Sequence, residues 1–418
     1  MTPPPRGAPR DGSGRRGGGG GVGRGAPLGR VLELRRPPIA EINALAAEEA
    51  QKGRDLVNLG QAVLGLPPPR GAMARVERYL AGTAVHSYSP DPGLPEAREA
   101  VARYLRALKG VSDADASEVM LTCGANQAFA NAILALTRPG DEVITFGPGY
   151  FDHDFCIRLA GCVNREVPLE LVPARAGELA HFRFDPDAAE RAVGPRTRAL
   201  VLVSPGNPTG QVIEAEAQRA LVELAARLGL WLISDETYDL LTFPPDGHVS
   251  PAVLGPRDRT IVLGSFSKVF GLAAWRCGYL FGDSEVVEEA VKAQDALVVC
   301  APVPAQEAVI GALAEAESYA AEARATLMGR RDALMEALSG SSLLEPSLAQ
   351  GATFMLARLS RGEDDVAFCR ELVTGPGVIA VPGSAFGPMG KGWVRLSYGN
   401  VTTERILEAG ERLRRWRP

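Results

Sequence analysis

Lysine is nearly missing from this chain. Five occur, Lys52, Lys109, Lys268, Lys292 and Lys391, within 45 basic residues, so the other forty cations are arginine. Arginine is therefore the ordinary surface cation, and each lysine raises the question of what arginine could not do there. Histidine is as sparse. The four copies, His86, His153, His181 and His248, have no partner at ligand or triad spacing and are assigned no role. The six cysteines, Cys123, Cys156, Cys162, Cys277, Cys300 and Cys369, include no C-x-x-C pair. A zinc site and a disulfide framework are thus not expected, and free thiols suggest a reducing, cytoplasmic compartment. No apolar run approaches the roughly 20 residues of a membrane-spanning helix, so no membrane partner is expected. Nor does one sign of charge dominate: 45 basic against 50 acidic residues give a net −5. That balance offers no electrostatic reason for a nucleic-acid partner.

What is present is a chain of 418 residues, 46% hydrophobic and 23% charged, long enough for two subdomains around a sizeable core. Residues 1–36 stand apart. They are rich in Gly, Pro and Arg, with a run from Gly17 to Gly21, and are expected to be a disordered tail that cannot offset its ordering entropy. No apolar stretch follows their arginines, so neither a secretory nor a twin-arginine signal is read there. From residue 39 onward short branched apolar runs alternate with helical patterns. Strands are predicted at 119–122, 142–146, 199–204, 231–234, 260–264 and 278–281. Helices are predicted at 94–108, 127–136, 214–228, 285–297 and, as one long element, 304–338. A strand at 354–357 and a helix at 364–373 follow. This alternation predicts an α/β fold with a mostly parallel sheet covered on both faces.

Polar residues cluster just past these runs. Ser204-Pro-Gly-Asn207-Pro-Thr-Gly210 follows one, Asp235-Glu-Thr-Tyr238 the next, and Ser265-Phe-Ser267-Lys268 a third. The carboxyl ends of strands in an open parallel sheet line one crevice where ligands bind. Spacings of about 30 residues, one βαβ unit, would aim Asn207, Asp235 and Lys268 into one pocket. Lysine can lose its proton and form a Schiff base, which arginine cannot. A pyridoxal phosphate cofactor would use each of these groups. Its aldehyde needs an amine and its ring nitrogen a carboxylate. Its phosphate needs backbone N–H groups, hydroxyls and an arginine. Candidates for the phosphate are the strand-to-helix junction Thr122-Cys-Gly124-Ala125-Asn126-Gln127, the pair Ser265 and Ser267, and Arg276.

Read in order, the landmarks are Asn58-Leu-Gly60-Gln61, Tyr88-Ser-Pro-Asp-Pro-Gly93, Gly124-Ala-Asn-Gln127, Pro148-Gly-Tyr150, Asn207-Pro-Thr-Gly210, Asp235-Glu-Thr-Tyr238, Ser265-Phe-Ser-Lys268, Arg276 and Val394-Arg395-Leu-Ser-Tyr398. With these nine the chain resembles the fold type I pyridoxal phosphate enzymes, class I/II aminotransferases, over residues 39–417. The resemblance implies a mostly parallel seven-stranded sheet between helices plus a smaller α/β domain. It implies an N-terminal arm with part of the small domain at 37–70, a large cofactor-binding domain at 71–310, and a small C-terminal domain at 311–418. It also implies roles. Lys268 would bond pyridoxal 5'-phosphate and later shuttle the proton. Asp235 would pair with the ring nitrogen. Asn207 and Tyr238 would bond the cofactor phenolate, and Tyr150 would stack on the ring. Gly124, Ala125, Asn126, Ser265 and Arg276 would hold the phosphate, with Ser267 standing behind it. Tyr88 would reach the phosphate of a neighbouring subunit, which implies a homodimer. Arg395 would clamp the substrate α-carboxylate, helped by Asn207 and the backbone near Gly60.

The expected activity is transfer of an amino group from an α-amino acid to a 2-oxo acid. Asn58-Leu-Gly-Gln with Pro67-Pro-Pro, Gly124-Ala-Asn-Gln-Ala-Phe, Ala293-Gln-Asp and the stretch from Gly377 to Gly387 are similar to plant aromatic aminotransferases that take methionine or aromatic donors, and to kynurenine and glutamine transaminases. An aromatic, methionine-like or other neutral donor is expected. Gly149 departs from the aromatic residue usual beside Tyr150, and Gln61-Ala-Val-Leu-Gly-Leu from the usual acidic-aromatic phrase. Alternatives are the same fold with another outcome (β-lyase, oxidase or biosynthetic cyclase), an aspartate-type aminotransferase, or a non-enzymatic sensor fused to a DNA-binding domain. Against the last, the leading stretch has no helix-turn-helix pattern.

Overall fold

Seven apolar runs form one sheet. In chain order they are β1 (Val119–Thr122), β2 (Glu142–Gly147), β3 (Val163–Pro168), β4 (Thr197–Val203), β5 (Trp231–Asp235), β6 (Thr260–Ser265) and β7 (Gly278–Phe281). This is a computed structural model, and it describes residues 29–34, 36–82, 87–175, 178–243, 247–362 and 364–416. Strand order across the sheet is β1-β7-β6-β5-β4-β2-β3. β7 alone runs antiparallel to its neighbours; the other pairings are parallel. Six of the seven strands were anticipated to within two residues at each end. The omitted one, β3, lies at the sheet edge and carries the polar phrase Val-Asn-Arg-Glu-Val-Pro, so continuous apolarity could not reveal it.

Both faces of the sheet are buried, because alternate residues of each strand serve different cores. Along β4, Ala199 and Val201 join Phe129, Ile133 and Ile261 on one side, while Leu200 and Leu202 join Leu221, Val222 and Leu224 on the other. Each such side chain contributes roughly 1.5–3 kcal/mol relative to exposure, which is why the strands read as unbroken apolar runs.

The helical stretch expected at 304–338 is two helices, Val303–Leu313 and Ala316–Leu338. Glu315 sits at the break, and its carboxylate accepts the Gly71 backbone N–H at 2.6 Å. That acceptor caps the start of the helix Arg70–Leu80, which packs along Val303–Leu313. A long-range hydrogen bond therefore divides a stretch whose local propensity is helical throughout.

A second, antiparallel sheet has the order β8-β9-β11-β10, from β8 (Leu344–Pro346), β9 (Phe354–Leu359), β10 (Val381–Pro382) and β11 (Trp393–Ser397). Val57–Asn58 pairs in parallel with Val378–Ile379, tying the segment after the helix Ile39–Gln51 to this region. The chain divides into two units, residues 1–35 and 36–418. In the first, the described part is a short turn of helix, Arg30–Glu33; the rest of the expected disordered tail lies outside the described residues.

At Gly278, the first residue of β7, a Cβ would stand 2.7 Å from Gly264 O and 2.8 Å from Ala125 N. Gly278→Ala should therefore push the start of the helix Ala125–Leu136 away from the sheet and destabilise the protein by about 1–3 kcal/mol. Urea unfolding followed by circular dichroism measures it; an unchanged midpoint would contradict the packing described.

Candidate functional site

The carboxyl ends of β1, β2, β4, β5 and β6 open onto one cavity of about 600 Å³. Its lining includes Gly60, Ala125, Asn126, Tyr150, Asn207, Asp235, Tyr238, Ser265, Ser267, Lys268, Arg276 and Arg395. Residues from eight separate stretches of sequence thus meet in one place. β7 explains how Arg276 joins them. Because that strand runs backwards, the residues just before it lie at the same edge where its neighbours end.

Gly124, with φ +85, precedes the helix Ala125–Leu136. The first amides of that helix have no intrahelical acceptor and carry the positive end of its dipole. Arg276, itself in the left-handed region at φ 54, brings its guanidinium against this turn. A Cβ on Gly124 would lie 2.7 Å from Arg276 Nη2. Ser265 adds a hydroxyl, and its Oγ also accepts the Ser267 backbone N–H at 3.2 Å. Free amides, a guanidinium and a hydroxyl therefore converge on one corner, a cradle suited to a phosphate.

Asp235, also in the lining, ends β5 almost fully buried. Burial alone would raise its carboxyl. His153 Nε2, 3.1 Å from Oδ2, and the Thr237 backbone N–H, 3.0 Å from Oδ1, outweigh that and hold it below the ordinary carboxylate range. The expectation of no role for His153 is thus corrected. It comes from the helix Phe151–Leu159, is itself buried, and stacks on Phe129 with ring centroids 4.2 Å apart. Its partner is 82 residues away, so no local spacing could signal it. His248 is corrected likewise: its Nε2 lies 3.3 Å from Glu236 Oε2.

Lys268 lines the same cavity. Its Nζ donates to Ala62 O at 2.6 Å. Burial, and then the neighbouring charges of Arg395 and Arg276, bring its amine down to about 8 from an ordinary value of 10.5. Arg395, on β11, is buried, and burial lowers its guanidinium to about 10. It is held by Asn207 Oδ1 at 3.1 Å and Gly60 O at 3.0 Å. The rings of Phe354 and Phe386 flank it at 4.9 and 5.0 Å. Its Nε finds no hydrogen-bond partner, so this cation still has a donor to offer an anion.

Tyr150 and Asn126 share an acceptor that was not anticipated. The Tyr150 hydroxyl and Asn126 Nδ2 each donate to Asp152 Oδ2 at 2.7 Å. This fixes the tyrosine ring at the wall. Gly149 before it has its own reason. A Cβ there would strike Phe146 O, and its N–H reaches Phe386 O at 3.1 Å, so the usual aromatic residue does not fit this backbone. Gln61, Ala62 and Val63 face the cavity. Tyr88 does not. It is 82% exposed and lines no part of the cavity of its own chain.

Comparison with known proteins identifies the family and the fold. The family described as aminotransferase class I and II matches residues 54–413. The aromatic aminotransferase ISS1 of Arabidopsis thaliana is 31% identical, covering 92% of this chain and 95% of its own. The aspartate/prephenate aminotransferase of Thermus thermophilus is 34% identical over 92% and 97%. Among solved structures, the N-succinyldiaminopimelate aminotransferase of Mycobacterium tuberculosis superposes with a TM-score of 0.85 at 33% identity, over 93% of this chain and 99% of that one.

The lowered proton affinity of Lys268 has a direct readout. In cofactor-free protein, acetylation of Lys268 followed by mass spectrometry should rise with pH to a plateau with a midpoint of about 8. A midpoint near that of a free lysine would refute the crowding by Arg395 and Arg276.

Proposed function

The chain belongs to the class I and II aminotransferases, and from that footing we propose which residues carry the reaction and which donors it takes. It is an enzyme that uses pyridoxal 5'-phosphate to move an amino group from an α-amino acid to a 2-oxo acid. The cofactor, when bound, supplies an electrophilic aldehyde and a ring that accepts the electron pair left by a departing α-proton. The residues present fit such a group. The cradle at Gly124 has no room for a Cβ beside Arg276, and an ionised carboxylate lines the same cavity as the reactive amine.

The roles follow from that fit. Gly124, Ala125, Asn126, Ser265 and Arg276 hold the phosphate, with Ser267 supporting the Ser265 turn. Asp235, kept anionic by His153, holds a proton on the ring nitrogen. Tyr150 covers one ring face, and Asn207 and Tyr238 address the ring oxygen. Arg395 binds the α-carboxylate of the donor, and so turns its α-hydrogen toward Lys268. The Lys268 amine would take that proton and hold it at Nζ for return. The observation that carries this reading is the half-buried Lys268 amine, brought down to about 8, in one cavity with the anion cradle and Asp235.

The donor is proposed to have a neutral side chain, aromatic or methionine-like. The names of similar proteins point to aromatic, acidic and succinylated substrates alike, so the cavity has to decide. Its lining cations are Lys268, Arg276 and Arg395, and each already has a task. The lining left for a side chain is Ile39, Asn43, Gln61, Val63, Phe151 and Ala273. A second carboxylate would find no cation there and would lie near Asp152.

We further propose a homodimer. Tyr88 stands 82% exposed, and Leu297 at 59% and Val298 at 41% are exposed too, which suits a surface that a second copy covers and a tyrosine that serves the neighbour's phosphate. The division of the chain is proposed as an arm at 37–70, a cofactor-binding domain at 71–310 and a small domain at 311–418. The compartment is proposed to be cytoplasmic, since all six cysteines are free. No helix among the described residues is long and apolar enough to cross a membrane.

Lys268→Ala should fold normally but lose the visible absorbance that the parent gains with added cofactor; retention of that band would refute the assignment. Arg395→Gln should raise KM on the order of a hundredfold for every amino donor alike, because a charge-assisted hydrogen-bonded contact to the shared carboxylate is lost. In a panel with 2-oxoglutarate and pyruvate as acceptors, phenylalanine, tyrosine or methionine should outpace aspartate in kcat/KM. Preference for aspartate would overturn the neutral-donor reading.

A further inference from the structure

Of the five lysines, Lys268 is the reactive one, and Lys109 is the one that is buried. It ends the helix Pro95–Lys109 with its side chain only 3% exposed. Its ammonium pairs with Glu236 and lies 2.7 Å from Asp239 Oδ2. These carboxylates belong to the turn 235–239. Asp235 and Tyr238 of that turn line the cavity, whereas Glu236 and Asp239 do not. The turn is thus split, with ring contacts on one side and two buried anions on the other.

The buried side is linked by several side-chain contacts, although Glu236 Oε2 and His248 Nε2 meet no hydrogen-bond geometry. The Tyr104 hydroxyl, from the same helix as Lys109, donates to Asp239 Oδ2 at 2.6 Å. Glu236 Oε1 accepts from Ser234 Oγ at 2.9 Å and from Ser250 Oγ at 2.7 Å. His248 Nε2 lies 3.3 Å from Glu236 Oε2, and its Nδ1 lies 3.2 Å from Ser204 Oγ. Ser204 Oγ accepts the Ile213 N–H at 3.1 Å, closing the loop that presents Asn207. Lys109, Glu236, Asp239 and His248 all stand outside the cavity lining.

We propose that Lys109 is a positioning residue. Its ammonium balances Glu236 and Asp239 behind the cofactor, and this balance holds Asp235 and Tyr238, and through His248 and Ser204 also Asn207, at the cavity wall. The inference rests on the aminotransferase reading in one respect, that these three residues are the ring contacts. The physical reason is repulsion. Two carboxylates three residues apart, both buried, drive each other apart unless a cation sits between them. Relief of that repulsion opens the very turn that carries Asp235 and Tyr238. A helix end suits the cation, since its carbonyls favour positive charge.

The test compares Lys109→Met, Lys109→Met/Asp239→Asn and Asp235→Asn with the parent. The readouts are circular dichroism of the cofactor-free proteins, the dissociation constant for pyridoxal 5'-phosphate, and the wavelength of its bound visible band. Lys109→Met should keep its secondary structure, weaken cofactor binding by about tenfold or more, and shift the band. The double variant, which removes one anion with the cation, should return both to near the parent. A packing role alone would lower stability without moving the band, so unaltered binding and band in Lys109→Met overturn the proposal. Should that variant not fold, the double variant decides: folding with parent-like binding supports the proposal, and a failure to fold or persistently weak binding refutes it. Asp235→Asn separates the premises. If it binds cofactor as the parent does, the reading of the ring site falls, whatever Lys109 does.

Discussion

Three cations, Lys268, Arg276 and Arg395, line one cavity, and burial first, then repulsion from the two arginines, lowers the proton affinity of the Lys268 amine. Burial and two positive neighbours bring Lys268 to about 8. Cations packed this closely stay put only when each is restrained by something uncharged or by an anion kept in its ionised form. Arg395 is restrained by a side-chain amide, a carbonyl and two aromatic faces. Arg276 rests against the glycine turn before a helix and donates to Ala273 O at 3.1 Å. The same arrangement is electrostatically incomplete in itself, and anions such as a phosphate and an α-carboxylate complete it.

The fold's contribution is to bring together groups that chain order separates. Parallel strands place the residues after β1, β4, β5 and β6 at one edge. The single reversed strand, β7, brings Arg276 to that edge from the other direction. Arg395 arrives from a different sheet, and Gly60 from a segment that the pairing of Val57–Asn58 with Val378–Ile379 joins to β10 and β11. Arg395 and the Gly60 carbonyl that accepts from it therefore come from two regions of the chain that share one small β-pairing.

Much of this was legible before any coordinates. Lys268 stood out because lysine is rare here, and Asn207, Asp235 and the serines because they follow apolar runs at βαβ spacing. Those signals are local, and they fell where the strands ended. What escaped notice was long-range. His153 acquires its role from Asp235, Asp152 from its place between Tyr150 and Asn126, and the Ala62 carbonyl from a loop with no chemistry of its own. The break at Glu315 has the same origin, since its partner is the Gly71 amide. Edge strand β3 was hidden for a different reason: half solvated, it lacks the unbroken apolar run by which the interior strands were read.

The contrast between the floor and the rim of the cavity explains how proteins this similar can bear such different substrate names. The floor consists of the cradle, Asp235, Lys268 and Arg395; in the proposed reading the first two serve the cofactor, and Lys268 and Arg395 serve the α-hydrogen and α-carboxylate that every amino acid donor shares. The rim consists of Ile39, Asn43, Gln61 and Phe151, carried on the helix Ile39–Gln51, the loop after Asn58 and the segment after Tyr150. None of these side chains is needed to balance the buried charges. Their identity can therefore change without disturbing the amine, whereas a change in the floor alters the charge balance from which the amine takes its reactivity. Donor choice is thus free to vary across a family whose chemistry is not.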